Sequence, residues 1–281
     1  MLKLRILTAI ILIPLVFIGI YFTNLQQFSY LMALIVLGCA WEWARLIKLS
    51  RVASFLFLAC LAGIFYNLML VLAPYPVLAT NLLAGAVGLW CLYTIWLFIY
   101  QKGYVVKPAP LWLSVVMGFL TLTPFWLAMV LLKEKQILLG GHPILLLLFI
   151  IWSADTGAYF VGRRFGKHKL AVNISPGKSI EGAAGGLLLS CIVIVSLVNF
   201  VPAFSQVAAL SGLRGMSTLL SYTAIIAILS VIGDLFESMI KRQAGVKDSG
   251  RLLPGHGGLL DRLDSLVATA PLFALGYGFL N

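Results

Sequence analysis

Residues 111–132 read LWLSVVMGFLTLTPFWLAMVLL, 22 side chains in succession without one charge. An α-helix rising 1.5 Å per residue needs about 20 mostly apolar residues to cross the hydrocarbon core of a bilayer. No soluble core demands such an element, so the run points to a helix whose solvent is lipid. The spacing predicts eight more windows of this kind, at 6–24, 27–46, 52–72, 77–100, 143–162, 182–202, 218–240 and 265–280. The expected fold is therefore all-α, a polytopic transmembrane helical bundle of about nine spans. Composition agrees. The 281 residues are 62% apolar and 10% charged, against about 45–50% and about 25% in soluble domains.

The N-terminal stretch MLKLRILTAIILIPLVFIGIYF has the charge and apolar run of a signal peptide. Its apolar run is long and it offers no small-residue cleavage site, so it reads as the first span. Cys39, Cys60, Cys91 and Cys191 each sit in an apolar run with no metal-ligand spacing. They read as small buried hydrophobes. No internal repeat, low-complexity tract or soluble domain is visible, so residues 1–281 form one membrane domain.

The formal charge is +11. In a chain this apolar, the positive-inside bias and anionic lipid account for it, and nucleic acid is not an expected partner. With the N-terminus inside, 17 of the 20 Lys and Arg residues fall on the cytoplasmic side. Lys133, Lys135 and Arg214 stay opposite. The C-terminus is then expected outside. On this reading residues 1–142 are mainly scaffold and lipid-facing. Residues 143–281 form a catalytic half whose cytoplasmic segments, 163–181 and 241–264, hold most of the polar information.

Only nine residues are acidic, and seven of them lie between 155 and 264. Ionisable groups at membrane depth are expensive and mark function by default. Glu134, in KEK, reads as a solvated charge on an outer loop. Glu42, in WEWAR, is spaced to pair with Arg45 at i,i+3. In SVIGDLFESMIKR, the i, i+3, i+7 spacing puts Asp234, Glu237 and Lys241 on one helix face, with Glu237 in reach of Lys241. Next comes KRQAGVKDSGRLLPGHGGLLDRLDS, which packs Arg242, Lys247, Asp248, Arg251, His256, Asp261, Arg262 and Asp264 among five glycines. Glycines let backbone N–H groups approach an anion. Asp261 and Asp264 share a face if their segment is helical. Hard oxygen donors beside Lys and Arg suit Mg²⁺ and a polyphosphate.

The other polar cluster is WSADTGAYFVGRRFGKHKLAVNISPGKSIEG, with Asp155, Lys178, Ser179 and Glu181. Its PGKS ends like a P-loop but lacks the first glycine of GxxxxGK[ST], since Val172 stands there, and it follows no strand. A phosphate cradle of basic and small residues, or a juxtamembrane patch for anionic lipid, are the two readings of this segment.

Ser238 to Asp264 resembles the signature of the phosphatidate cytidylyltransferases (CDP-diacylglycerol synthases), S-x-x-K-R-x4-K-D-x-G/S/A-x2-L/I/F-P/G-x-H-G-G-x-x-D-R-x-D, at every defined position. G-D-x-x-E-S at 233–238, A-D-T-G-A-Y-x-x-G at 154–162 and S-P-G-K-S-x-E-G at 175–182 are similar to the family too. There the family often has S-P-K-K-T, so Gly177 and Ser179 depart from it. The resemblance implies CTP + phosphatidate → CDP-diacylglycerol + pyrophosphate, with Mg²⁺ and room for a second cation. It implies Asp234, Asp261 and Asp264 as cation ligands, with Glu237 and Asp248 next. Lys178, Ser179, Lys241, Arg242, Lys247, Arg251, Arg262 and His256, with Asp155 and Glu181, would contact substrate. It also implies a homodimer, while the short chain suggests a bacterial inner-membrane enzyme, and the charge bias turns its site to the cytoplasm. A secondary transporter would place its acids near the midplane in paired halves. A lipid or polyprenol kinase would lack the full K-D…H-G-G…D-R-x-D pattern.

Overall fold

The computed structural model describes residues 10, 14–71, 76–103, 108–139, 142–202, 204, 215–253, 255, 257–279. Residues 14–21 are helical. After them come α1 (Leu25–Leu46), α2 (Arg51–Val71), α3 (Pro76–Gln101), α4 (Leu111–Leu139) and α5 (Pro143–Phe165). A β-hairpin of β1 (Lys169–Ala171) and β2 (Ser175–Ser179) leads into α6 (Ile180–Phe200), α7 (Met216–Ala244) and α8 (Leu260–Phe279). Six of these helices, α2 to α7, are long and apolar enough to cross a membrane. The protein is an integral membrane protein. Of the first window expected from sequence, 6–24, residues 14–21 are helical, while 6–9 and 11–13 lie outside the described residues. The other two expected windows correspond to α1 and α8, which are not among the six and carry Glu42, Arg45, Asp261, Arg262 and Asp264.

Local chemistry sets the helix ends. Asn24 caps α1 through a capping box: Asn24 Oδ1 accepts from Gln27 N–H at 2.8 Å, and Gln27 Oε1 from Asn24 N–H at 3.1 Å. Pro143 opens α5, where a missing N–H costs nothing. Gly245 ends α7 at φ 77°, a left-handed cap that glycine adopts without penalty. One expectation fails at α4. The helix runs through Lys133, Glu134 and Lys135 to Leu139, so KEK is helical and not a loop. Lys133 is buried: its Nζ donates to the Ile20 carbonyl and lies 5.6 Å over the Phe28 ring. The carbonyl and the ring take up its charge where water cannot.

Packing follows side-chain size. The α5–α6 seam is built on glycine. A Cβ on Gly186 would sit 2.4 Å from Ala154 O, and one on Gly157 2.6 Å from Gly185 O. Small residues allow such backbone contact, which lipid by itself does not drive. In contrast, α7 is pinned by a ring cluster. Phe236 stacks on Tyr93 at 4.3 Å and meets Trp90, Trp96 and Trp43 within 6.3 Å. α1 is fastened to α4 at two levels, by Trp43 Nε1 on Ser114 O (3.0 Å) and Trp126 Nε1 on Ser29 O (3.1 Å).

The hairpin corrects the all-α expectation. PGKS lies within β2 itself, whose register pairs Lys169 with Ser179 and Ala171 with Ser175. It rests on the ends of two helices. Asn173 Nδ2 donates to Gln101 O at 2.8 Å, and Arg242 Nε to Ile174 O at 3.2 Å. The C-terminal ends of α1, α3, α5 and α7 and the N-terminal ends of α6 and α8 thus meet at one end of the bundle.

Candidate active site

At that end the chain leaves α7 through Gly245, forms an extended loop, and enters α8 at Leu260. Within the loop, Leu253 N–H donates to Gly257 O at 3.0 Å. Gly255 and Gly257 have φ of 79° and 85°, so the turn needs residues without Cβ. Asp261, in the first turn of α8, gathers this loop. Its Oδ2 accepts from Ser249 N–H at 2.9 Å and Gly258 N–H at 2.8 Å. Its Oδ1 accepts from Lys241 Nζ at 2.6 Å, and the same ammonium reaches Glu237 Oε2 at 2.8 Å. The Glu237–Lys241 pair expected from i,i+4 spacing is present. Burial pushes the Asp261 carboxyl up. The Lys241 hydrogen bond, the Gly258 N–H, the Lys241 charge and the Ser249 N–H outweigh it and hold the group below its ordinary value.

The second cluster joins hairpin and helices. Lys178 Nζ meets Asp234 Oδ2 at 2.6 Å, and Ser238 Oγ donates to Asp234 Oδ1 at 3.3 Å. Asp155 on α5 and Asp264 on α8 both lie within electrostatic reach of Asp234 and Lys178. The sequence places these four in four separate motifs, and the fold brings them to one place. Two other expected site residues are engaged locally. Ser179 caps α6, its Oγ accepting from Gly182 N–H at 3.1 Å. Glu181 accepts from Lys167 N–H at 3.1 Å and contacts His168 Nδ1 at 2.6 Å, closing the turn into the hairpin. Lys247, Asp248 and Arg251 are exposed on the loop, and Arg262 is exposed on α8. His256 and Pro254 lie outside the described residues. Among the described residues, no three His, Cys, Asp or Glu side chains stand close enough to hold a metal ion as placed.

Glu42 departs from the expectation of an Arg45 partner. Arg45 points outward and is exposed, whereas Glu42 is 0% exposed. Its Oε2 accepts from Ser249 Oγ at 3.0 Å and Leu260 N–H at 2.8 Å, more than two hundred positions along the chain. The signal was present, an acid within an apolar window. The i,i+3 arginine supplied a local partner that hid the distant one.

Fold and site together define an integral membrane protein with two lysine–carboxylate clusters at one end of a helical bundle. A family model described as the cytidylyltransferase family matches residues 3–280, and the chain belongs to that family. It is 40% identical over 278 residues to a phosphatidate cytidylyltransferase of Pseudomonas aeruginosa, covering 98% of this chain and 96% of that one. It is 35% identical over 292 residues to one of Haemophilus influenzae, covering 100% of both. A Staphylococcus aureus phosphatidate cytidylyltransferase is 48% identical over 133 residues, 47% of this chain and 48% of that one.

Proposed function

We propose that this protein transfers the cytidylyl group of CTP to phosphatidate, giving CDP-diacylglycerol and pyrophosphate for phospholipid synthesis. The observation that carries the reading is the folded signature. Its residues Lys241 and Asp261 close with Glu237, which directly precedes the signature, into one ion-paired unit beside the Lys178–Asp234 pair. An oxygen of the phosphatidate phosphate attacks the α-phosphorus of CTP, the bond from that phosphorus to the β-phosphate oxygen breaks, and pyrophosphate leaves with the electron pair. The nucleophile is already anionic, so the protein's work is positioning and charge stabilisation. Lys178 is the first cation available to the triphosphate, because exchanging Asp234 for a phosphate oxygen keeps its charge paired. Lys247, Arg251 and Arg262, at the rim, suit the phosphates and the lipid headgroup.

The donor chemistry fits Mg²⁺, a hard cation that takes oxygen ligands. Asp234 and Asp264 would hold it, with Asp155 beside them. Asp261 and Glu237 stand behind, Glu237 with a buried Oε1 that has no hydrogen-bond partner. Once bound, the ion would offset charge on the transferring phosphates. The further topology belongs to the same reading: nine spans in a bacterial inner membrane, N-terminus and site cytoplasmic, C-terminus opposite. A water-soluble nucleotide and a lipid headgroup would meet at such a membrane boundary.

The test is purified protein in detergent with CTP, phosphatidate and Mg²⁺, following pyrophosphate and lipid product beside Asp261→Asn. Product formation that falls at least ~100-fold in the variant, and that stops on chelation, is the expected outcome. Equal activity in the variant would remove Asp261 from the machinery and leave the reaction standing. Transfer of a nucleotide γ-phosphate to a lipid acceptor, with no CDP-diacylglycerol, would make the protein a kinase.

A further inference from the structure

The buried carboxylate of Glu42 has no part in the signature, yet it bonds the signature loop at Ser249 and the start of α8 at Leu260. We propose that Glu42 is a positioning residue for cytidylyl transfer: from the first half of the chain it sets the loop and the start of α8 that carry Asp261 and Asp264.

Four observations converge. First, Glu42 Oε2 accepts from Ser249 Oγ and from Leu260 N–H, so one oxygen joins the loop to the first residue of α8. A carboxylate at a helix N-terminus satisfies an otherwise orphan N–H and is favoured by the helix dipole. Second, Asp261 takes the opposite side of the same loop, through the N–H groups of Ser249 and Gly258. Ser249 is therefore clamped between the two acids. Third, the loop closes on the carboxylate through glycine. A Cβ on Gly250 would fall 2.0 Å from Glu42 Oε1, and one on Gly258 2.5 Å from Oε2. Only bare backbone fits there. Fourth, the clamp has a fixed base. The neighbouring Trp43 indole bonds Ser114 O on α4, and its ring packs on Phe236, the residue before Glu237. A site is only as precise as the rigid elements that support it.

Glu42 Oε1 is buried without a hydrogen-bond partner. A buried acid costs less if replaced by an apolar group that loses nothing, unless its charge strengthens bonds that matter. Charge-assisted bonds to the loop are such bonds.

The inference rests on the cytidylyltransferase reading, and its test separates the two. Full-length wild type, Glu42→Gln and Glu42→Asp are compared in detergent by steady-state kinetics, thermal melting and backbone hydrogen exchange over residues 245–262. Gln keeps the volume and the two acceptor contacts but removes the charge. The expected result is a kcat about tenfold lower, with KM for CTP and the melting temperature near wild type. Exchange should be faster at Ser249, Gly258 and Leu260, with partial return in Glu42→Asp. Unchanged kcat and exchange would overturn the proposal. So would a kcat loss that tracks a lost folded fraction, since a purely structural role does that. If Glu42→Gln does not fold, Ser249→Ala removes one of the two contacts and should give the same kcat loss in smaller measure. Unchanged kcat and exchange in that variant would be as damaging. A wild type that makes no CDP-diacylglycerol would sink the function, and the exchange comparison would still decide whether Glu42 holds the loop.

Discussion

Lys241 shows what one side chain does at this site. Alone at the end of an apolar helix an ammonium is costly, and so is the buried Glu237. Between Glu237 and Asp261, each within 2.8 Å of its Nζ, the three become one hydrogen-bonded ion cluster that also fixes where α8 begins. Ser179 carries a different lesson. In sequence it sits beside Lys178 in a phosphate-binding guise, and in the structure its Oγ accepts from Gly182 N–H and caps α6. Ser179→Ala should therefore lower stability by about 1 kcal/mol, the usual worth of a cap, and leave KM for CTP near wild type. Thermal melting beside steady-state kinetics checks this. A large rise in KM at unchanged stability would place the hydroxyl on substrate instead.

At the scale of elements, the α5–α6 seam decides how Asp155 comes to face Asp234. The two helices approach closely because Gly157, Gly182 and Gly186 face the opposing backbone and Gly185 faces the Val161 side chain. Gly186→Ala puts a methyl 2.4 Å from the Ala154 carbonyl, an atom of backbone that cannot turn away. The expected cost is about 1–3 kcal/mol, the range for overpacking a tight interface. Melting in detergent should report it. Activity should fall as well, since the displaced helix carries Asp155. A variant with wild-type stability would mean that the seam is loose. The hairpin belongs to this scale too. Two short strands could not be stable alone. They hold because Asn173 is tied to Gln101 and Ile174 O to Arg242, so β2 presents Lys178 to α7.

For the whole molecule, the alternation of helix direction brings every signature-bearing end together and leaves the Lys133–Ile20 contact at the far end. Exposed apolar side chains on α2 and α6, Leu56 and Leu188 among them, are at ease only in lipid. If the site end is cytoplasmic, a single cysteine introduced as Lys247→Cys, with the four native cysteines removed, should react with an impermeant maleimide in inside-out vesicles. In right-side-out vesicles it should be protected. The opposite pattern would invert the topology.

A membrane fold was legible from hydropathy alone, because lipid imposes one requirement, a run of apolar residues long enough to cross, and local sequence meets it or does not. The signature and the Glu237–Lys241 pair were legible because their spacings lie within a few residues. The end of α4 was not, since three charges in a row read as loop until a carbonyl and a ring from other segments accept Lys133. Nor was the partnership of Lys178 with Asp234, or of Glu42 with the loop. Those pairings join residues far apart in the chain, and which distant partner reaches a buried charge is decided only when the helices pack. Composition and spacing determined that this is a membrane protein carrying the signature of its family; the tertiary structure alone decided which of its charged residues meet, because a buried charge in a low-dielectric interior must be satisfied by whatever the fold brings beside it.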